Sequence, residues 1–321
     1  MKALVTGGAG FIGSHLTQSL LEAGIKVFVL DDFSTGSRIN VKDIETNSGL
    51  QIMEGSLLDE KLVDELMKQV DACFHLGAAL GVQRILEKPY QSLKTNVTGT
   101  ENVIQAAANR GVKVFLASTS ELYGKSKDQP LHEESDRVIG SPRLVRWAYS
   151  EAKAIDESVA EMFRGSHGLR YVTGRFFNTV GPRQSGAYGM VLPRFVKSAI
   201  QSENLKVYGD GSQSRVFCHV SDAVSAVLAI FNDVQAEGQA FNIGGEEEVS
   251  IRELAERVIQ VTGSSSRIEY VSYEDAYPAG FEETMRRVPD TTKLRTLTGW
   301  KPKYSLDEII KDIENYFRSK S

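Results

Sequence analysis

Apolar residues in the first half of the chain fall in short runs separated by longer amphipathic stretches. Residues 3–6, 26–30, 50–53, 72–75, 114–117 and 170–174 have the length and composition of buried strands. Between them, residues 11–23, 59–69, 90–109 and 145–163 are long enough for helices. Strand alternating with helix predicts an α/β fold with a doubly wound parallel sheet. Right-handed crossovers would gather the strand carboxyl ends along one edge, where ligands bind in such sheets.

The pattern loosens after Asn178. Gly181-Pro182, Gly186, Gly189, Gly209 to Gly211 and Gly244-Gly245 mark loops. Residues 192–201, 221–231, 250–262 and 305–317 read as helices, and Ser250 with Glu253 has the form of a capping box. Two units follow: a sheet domain over residues 1–178, rejoined by 215–243, and a smaller C-terminal α/β substrate-binding domain over most of 179–321. There is no internal repeat.

Composition narrows the field. With 41% hydrophobic and 25% charged residues in 321, the chain has the balance of a globular protein. The net charge of −5 gives no reason to expect nucleic acid or an anionic membrane as partner. The two cysteines, Cys73 and Cys218, lie in apolar runs and read as buried free thiols. No signal peptide precedes the first strand, and no apolar run approaches the roughly 20 residues of a membrane span. A soluble, cytoplasmic protein is expected, and no metal site.

The first strand runs directly into Gly7-Gly8-Ala9-Gly10-Phe11-Ile12-Gly13. Glycines there permit a tight turn and let backbone N–H groups approach a pyrophosphate. The helix that follows, opening at Phe11 and Ile12, points its positive end at the same place. Strand before and helix after make this a Rossmann-type dinucleotide turn. Asp31 lies 18 residues past Gly13, near the ~20 expected of the acid that holds the adenosine ribose. With Asp32 beside it, this position favours NAD over NADP. Alternatively, the two acids merely open a turn.

Tyr149 and Lys153 stand four apart and share a helix face. A neighbouring ammonium stabilises phenolate, which would lower the tyrosine pKa and make it a base. The same spacing also occurs at Tyr90/Lys94, Tyr123/Lys127 and Tyr316/Lys320. Tyr149 is preferred because its helix follows the strand extended by Ser118, Thr119, Ser120 and Glu121, whose hydroxyls would sit beside a nicotinamide.

At these residues the chain resembles the extended short-chain dehydrogenases/reductases, in their nucleotide-sugar branch. TGGAGFIGSH from Thr6, HLGAA from His75, ASTSELYG from Ala117, YSEAK from Tyr149, RFFNTVGPR from Arg175, VYGDGSQSRVF from Val207 and RRVPD from Arg286 carry the resemblance over nearly the whole length. It implies that Thr119 bonds the C4 hydroxyl of a sugar, that Tyr149 is the base, and that Lys153 supports it. It extends the cofactor set to Ser56, Leu57, Leu76, Ala78 and Asn96. It assigns Asn178, Arg215 and Arg287 to a sugar diphosphate, although surface ion pairing would also explain the arginines, and it sets Val207 and Tyr208 near the base. A homodimer built from helices 90–109 and 145–163 is implied too. Three departures stand out. Ser56 replaces an Asp that usually contacts adenine, Gly77 replaces an alanine, and the segment from Gly189 to Leu192 lacks an arginine that many decarboxylases of the family carry.

The resemblance also implies a shared first step, oxidation of C4 to a ketone with NAD as a recycled carrier. A 4-epimerase then returns hydride to the other face. A 4,6-dehydratase removes a C5 proton and expels the C6 hydroxyl. A uronate decarboxylase loses carbon dioxide, protonates C5 and reduces C4. Glu121 follows Thr119 by two, so on an extended segment both side chains would face one side. A carboxyl group near C5 serves dehydration or decarboxylation and is superfluous for epimerisation. Arg84 would bind a C6 carboxylate or simply be solvated. UDP-glucuronate decarboxylation to UDP-xylose is therefore the leading expectation. A UDP-sugar 4-epimerase comes second, supported by Gly181-Pro182-Arg183-Gln184, and a 4,6-dehydratase third. The non-enzymatic alternative is a protein that only senses NAD.

Overall fold

The computed structural model describes residues 1–79, 89–185, 190–276, 282 and 284–320. Its centre is a seven-stranded sheet of β1 (Lys2–Thr6), β2 (Lys26–Asp31), β3 (Leu50–Glu54), β4 (Ala72–His75), β5 (Lys113–Thr119), β6 (Tyr171–Phe176) and β11 (Ala240–Ile243). The order is β11-β6-β5-β4-β1-β2-β3, and every pairing is parallel. The strand order reverses beside β1, the position where doubly wound sheets bind ligands. The expected fold class is borne out.

Helices α1 (Phe11–Glu22), α2 (Glu60–Met67), α3 (Pro89–Ala108) and α4 (Ala148–His167) fill the connections. Asp59 caps α2 by accepting from Leu62 N. The expected helix over 145–163 is in fact a short 3-10 turn, Val145–Trp147, followed by α4, which runs on to a left-handed cap at Gly168. The sheet separates two apolar clusters. Leu16, Leu20, Val29, Phe74 and Phe241 lie on one side, and Leu4, Leu66, Val103, Ile104 and Leu116 on the other.

The second half builds over the carboxyl edge. It contains β7 (Thr179–Val180), α5 (Val191–Ile200), β8 (Leu205–Tyr208), β9 (Ser214–Val216), β10 (Cys218–His219), α6 (Val220–Asn232), β12 (Glu248–Ser250), α7 (Ile251–Thr262), β13 (Ile268–Val271), β14 (Arg286–Arg287), α8 (Thr292–Thr298) and α9 (Leu306–Lys320). The capping box at Ser250 and Glu253 is present. Its own apolar cluster joins Phe195, Leu205, Leu254, Val258 and Ile310. Residues of α6, together with Leu294 and Trp300, return to pack on the sheet. Strand β11 was not anticipated. It is only four residues long, and its place is fixed by pairing with β6, which leaves no periodic signature.

Two pairings shape the carboxyl edge. In the β5–β6 register, Thr119 lies opposite Phe176 and Ser118 opposite Arg175. Strand β14 lies parallel to β9, with Arg287 beside Arg215. Across the sheet edge, these bring the end of β5 and two arginines of the second half to one place.

Candidate active site

A cavity of about 1310 Å³ opens at the carboxyl edge of the sheet. The glycine turn forms its floor. Gly7 has φ +68°, and a Cβ there would lie 2.8 Å from Gly77. A Cβ on Gly13 would collide with the Gly7 carbonyl oxygen. Gly10 caps α1 without a side-chain hydrogen bond. The first-turn N–H groups are therefore open to an anion, with the helix dipole behind them. Gly7, Gly10, Phe11, Ile12 and Gly13 all border the cavity. The shape and donor set fit a pyrophosphate.

Asp31, at the end of β2, is 8% exposed and borders the same cavity. Burial raises its carboxyl above the ordinary value, against hydrogen bonds from Phe33 N (2.8 Å) and Ala9 N (2.9 Å). Asp32, Leu57, Leu76 and Ala78 line the wall with it. The side chains of three further expected ligand residues are engaged within the protein. Ser56 Oγ accepts from Leu58 N, closing its own turn. Asn96 spends its amide on Ala79, accepting from the N–H at 2.6 Å and donating to the carbonyl at 3.1 Å. Val207 is buried in the core of the second half. Arg84 falls outside the described residues.

Thr119, Glu121, Tyr149 and Lys153 converge on the inner end of the cavity, with Asn178, Tyr208, Arg215 and Arg287 across from them. The expectation of an extended segment from Thr119 to Glu121 is corrected. The chain turns into a 3-10 helix at Ser120, and Thr119 Oγ1 caps it by accepting from Glu121 N at 3.2 Å. Both side chains still reach the cavity. Glu121 Oε1 pairs with Arg287 Nη1 at 3.0 Å, and Arg287 Nη2 donates to Asn178 Oδ1 at 3.2 Å. Burial pushes the Glu121 carboxyl up. Arg287, Arg146 and Arg215 outweigh it and hold the group below its ordinary value.

A second correction concerns Tyr149. Lys153 was expected to lower its pKa. Lys153 Nζ instead meets Asp156 Oδ2 at 3.1 Å, with both side chains buried. Burial, Glu121 and Asp156 all push the Tyr149 hydroxyl above its ordinary value.

A glycine cradle, an acid at the end of β2 and a threonine–tyrosine–lysine cluster on one cavity are the parts of a dinucleotide-dependent enzyme. The family described as GDP-mannose 4,6 dehydratase matches residues 4–313. The chain belongs to this family. It is an enzyme of the nucleotide-sugar branch of the extended short-chain dehydrogenases/reductases. A UDP-N-acetyl-α-D-glucosaminuronate decarboxylase of Bacillus cytotoxicus is 42% identical to it, over 99% of this chain and 98% of the relative. A UDP-glucuronic acid decarboxylase 1 of Xenopus tropicalis is 34% identical, over 99% of this chain and 72% of the relative. The UDP-glucuronic acid 4-epimerase of Bacillus cereus, solved in complex with UDP-glucuronic acid and NAD, is 26% identical with a TM-score of 0.89 and full coverage of both chains.

Three residues of this nucleotide-sugar enzyme escaped the sequence reading. Arg146 borders the cavity from the turn before α4, and its charge acts on Glu121. Arg194, on α5, lies 4.3 Å over the Tyr208 ring and hydrogen-bonds its hydroxyl. Asp156 holds Lys153. Helical spacing offered a signal for two of them, since Arg146 precedes Tyr149 by three and Asp156 follows Lys153 by three. Replacing Gly13 with alanine tests the cradle. Gly13→Ala should fold, by circular dichroism, and bind NAD at least about tenfold more weakly in calorimetry, a loss of roughly 1.4 kcal/mol. Unchanged affinity would place the dinucleotide elsewhere.

Proposed function

We propose that the enzyme decarboxylates a UDP-linked hexuronate, converting UDP-glucuronate to UDP-xylose or its 2-acetamido counterpart in the same way. The observation that carries this reading is the Glu121–Arg287 pair, set on the same cavity as Tyr149. The similarity to the two decarboxylases supports it. In functional terms, residues 1–178 with 215–243 hold the cofactor, and most of 179–321 holds the nucleotide sugar.

NAD, when bound, supplies a hydride acceptor at C4 and later returns the hydride. The chain's own residues do the rest. Thr119 Oγ1 holds the C4 oxygen, and Tyr149 takes its proton. With C4 a ketone, the C6 carboxylate is β to a carbonyl. The C5–C6 bond breaks, carbon dioxide leaves, and the electron pair passes to the C4 oxygen. Hydrogen bonds from Thr119 and Tyr149 stabilise that charge. Glu121, kept ionised by its arginines, sits badly beside a carboxylate and better once neutral carbon dioxide has gone. It also orients the water that delivers one proton to C5, and the hydroxide left behind takes a proton from solvent. Tyr149 then returns its proton to the C4 oxygen. Arg215 and Asn178 hold the diphosphate. Arg287 fixes Glu121 and reaches Asn178.

The second reading is UDP-sugar 4-epimerisation, favoured by the likeness to the Bacillus cereus epimerase. Mass spectrometry of UDP-glucuronate and UDP-N-acetylglucosaminuronate incubated with enzyme and NAD separates the two. Loss of carbon dioxide to a UDP-pentose is expected. An isobaric product with a new retention time would establish epimerisation instead. Tyr149→Phe should cut turnover by about 10²–10⁴-fold while NAD still binds.

We also propose a cytoplasmic homodimer. Cys73 and Cys218 are buried free thiols, as a reducing compartment allows. Among the described residues, no helix is long and apolar enough to cross a membrane. The outer face of α4 exposes Ile155 and Met162, seven apart, and the neighbouring α3 exposes Tyr90 and Leu93. Together they make an apolar face suited to a second copy. Sedimentation equilibrium should give twice the chain mass, and Met162→Glu with Ile155→Glu should give one. A monomer in the unmodified enzyme would dismiss the dimer.

A further inference from the structure

Behind Tyr149 runs a line of buried polar side chains that, Lys153 apart, the proposed reaction leaves unused. It starts at Thr6 on β1, passes His75 on β4 and Thr100 on α3, and ends at Asp156 and Lys153 on α4. None of the five is more than 3% exposed. Thr6 Oγ1 accepts from Gly77 N at 3.1 Å and lies 2.7 Å from His75 Nδ1. His75 Nε2 lies 3.0 Å from Thr100 Oγ1. Asp156 Oδ2 accepts from Lys153 Nζ at 3.1 Å.

The donors can be assigned in sequence. Thr6 Oγ1 already accepts from Gly77, so its own proton is available to His75 Nδ1. The imidazole is then the tautomer that donates from Nε2 to Thr100. That leaves the Thr100 proton facing Asp156, where burial holds the carboxyl above its ordinary value against the lowering pull of Lys153 and Thr100. Burial, with Lys153 nearby, lowers the His75 pKa to about 3, so the ring stays neutral. The line therefore carries one full charge pair, Lys153 and Asp156, at its catalytic end. Its other end touches Gly77, the residue against which Gly7 of the cofactor turn is packed.

We propose that Asp156 is a positioning residue for Tyr149: it holds Lys153 Nζ from the side away from the reaction, divides the ammonium's influence between itself and the phenol, and anchors Lys153 through Thr100 and His75 to the Gly7–Gly77 contact. The proposal rests on the reading of Tyr149 as the base. A buried carboxylate beside a catalytic ammonium is costly unless it is paired. Asp156 Oδ1 has no hydrogen bond of ordinary geometry, so the pair with Lys153 is its main compensation. Lys153 is thereby fixed in one place, at the expense of a weaker pull on the Tyr149 proton. The effect on Tyr149 has the same sign, since Asp156 raises it.

Other charges face the same spot and are balanced separately. Glu121 is held by Arg287 and lies within reach of Arg146. Glu157, next along α4, is held by Arg175 of β6 at 2.6 Å and accepts from Ser118 of β5. His75 and Thr100 are the polar groups that β4 and α3 present, and both are neutral. Asp156 is thus the carboxylate paired with Lys153, and its removal leaves the ammonium unpaired on the cavity it shares with Tyr149.

Asp156→Asn keeps the shape and removes the charge. The acid limb of the kcat profile reports formation of the Tyr149 phenolate. In the variant it should move to lower pH by about one unit, raising the rate on that limb about tenfold, while KM stays close to that of the unmodified enzyme. Asp156→Glu should restore a limb near the original position. A second readout needs no substrate. Tyrosinate absorbance is titrated in Asp156→Asn and in Asp156→Asn/Tyr149→Phe, and the difference isolates Tyr149. It should titrate lower than the same difference taken for the enzyme with Asp156 intact. If the enzyme acts on another sugar, this second readout still stands, so failure of the functional reading is distinguishable from failure of this one. Unmoved limb and unmoved titration would overturn the role. So would failure of both Asp156→Asn and Asp156→Ser to fold, which would make Asp156 a residue of the fold.

Discussion

A carboxylate taken out of water costs several kcal/mol unless a cation or hydrogen-bond donors replace the solvent. Three carboxylates around the site, buried or part-buried, meet that constraint with partners from elsewhere in the chain or from their own helix. Asp31 takes two backbone N–H groups, one of them from the glycine turn. Glu121 takes Arg287 from 166 residues away. Asp156 takes Lys153 on its own helix.

The fold exists in this form to make those meetings possible. A parallel sheet brings the ends of β1, β2, β4 and β5 to one edge, and α4 crosses beneath β5 with Tyr149, Lys153 and Asp156 on its inner side. The second half adds β9 and β14, whose parallel pairing sets Arg215 beside Arg287 above Glu121. Glu282 fastens that half to the turn that leads into the catalytic helix. Its carboxylate accepts from Trp147 Nε1 at 3.0 Å and from Lys125 at 3.0 Å. Chemistry at C4 and C5 of a sugar therefore depends on two halves that share no local sequence.

Local signals were legible in the sequence. The glycine turn, Asp31, the Tyr149/Lys153 spacing and the Ser250/Glu253 capping box each lie within one turn or one strand end, and each has a period or a fixed offset. Distant ones were not. Strand β11 and the short strands of the second half exist through pairing, which leaves no mark on residues so few. Ser56, Asn96 and Val207 follow from the resemblance alone, and in the structure local hydrogen bonds or core packing engage their side chains. Glu121 reaches the cavity by a geometry the spacing does not reveal, because the Thr119 cap bends the chain there. The raised Tyr149 is hidden for a related reason: Asp156, three residues past Lys153, pairs with that lysine and itself pushes the phenol up.

The most direct measurement is the reaction run in deuterated water, with the sugar product examined by nuclear magnetic resonance. Decarboxylation with an internally returned hydride predicts a UDP-pentose carrying one solvent deuterium at C5 and none at C4. A product with its carboxylate intact and no deuterium on carbon, or with solvent deuterium at C4, would contradict the role given to Glu121, Arg287 and Tyr149.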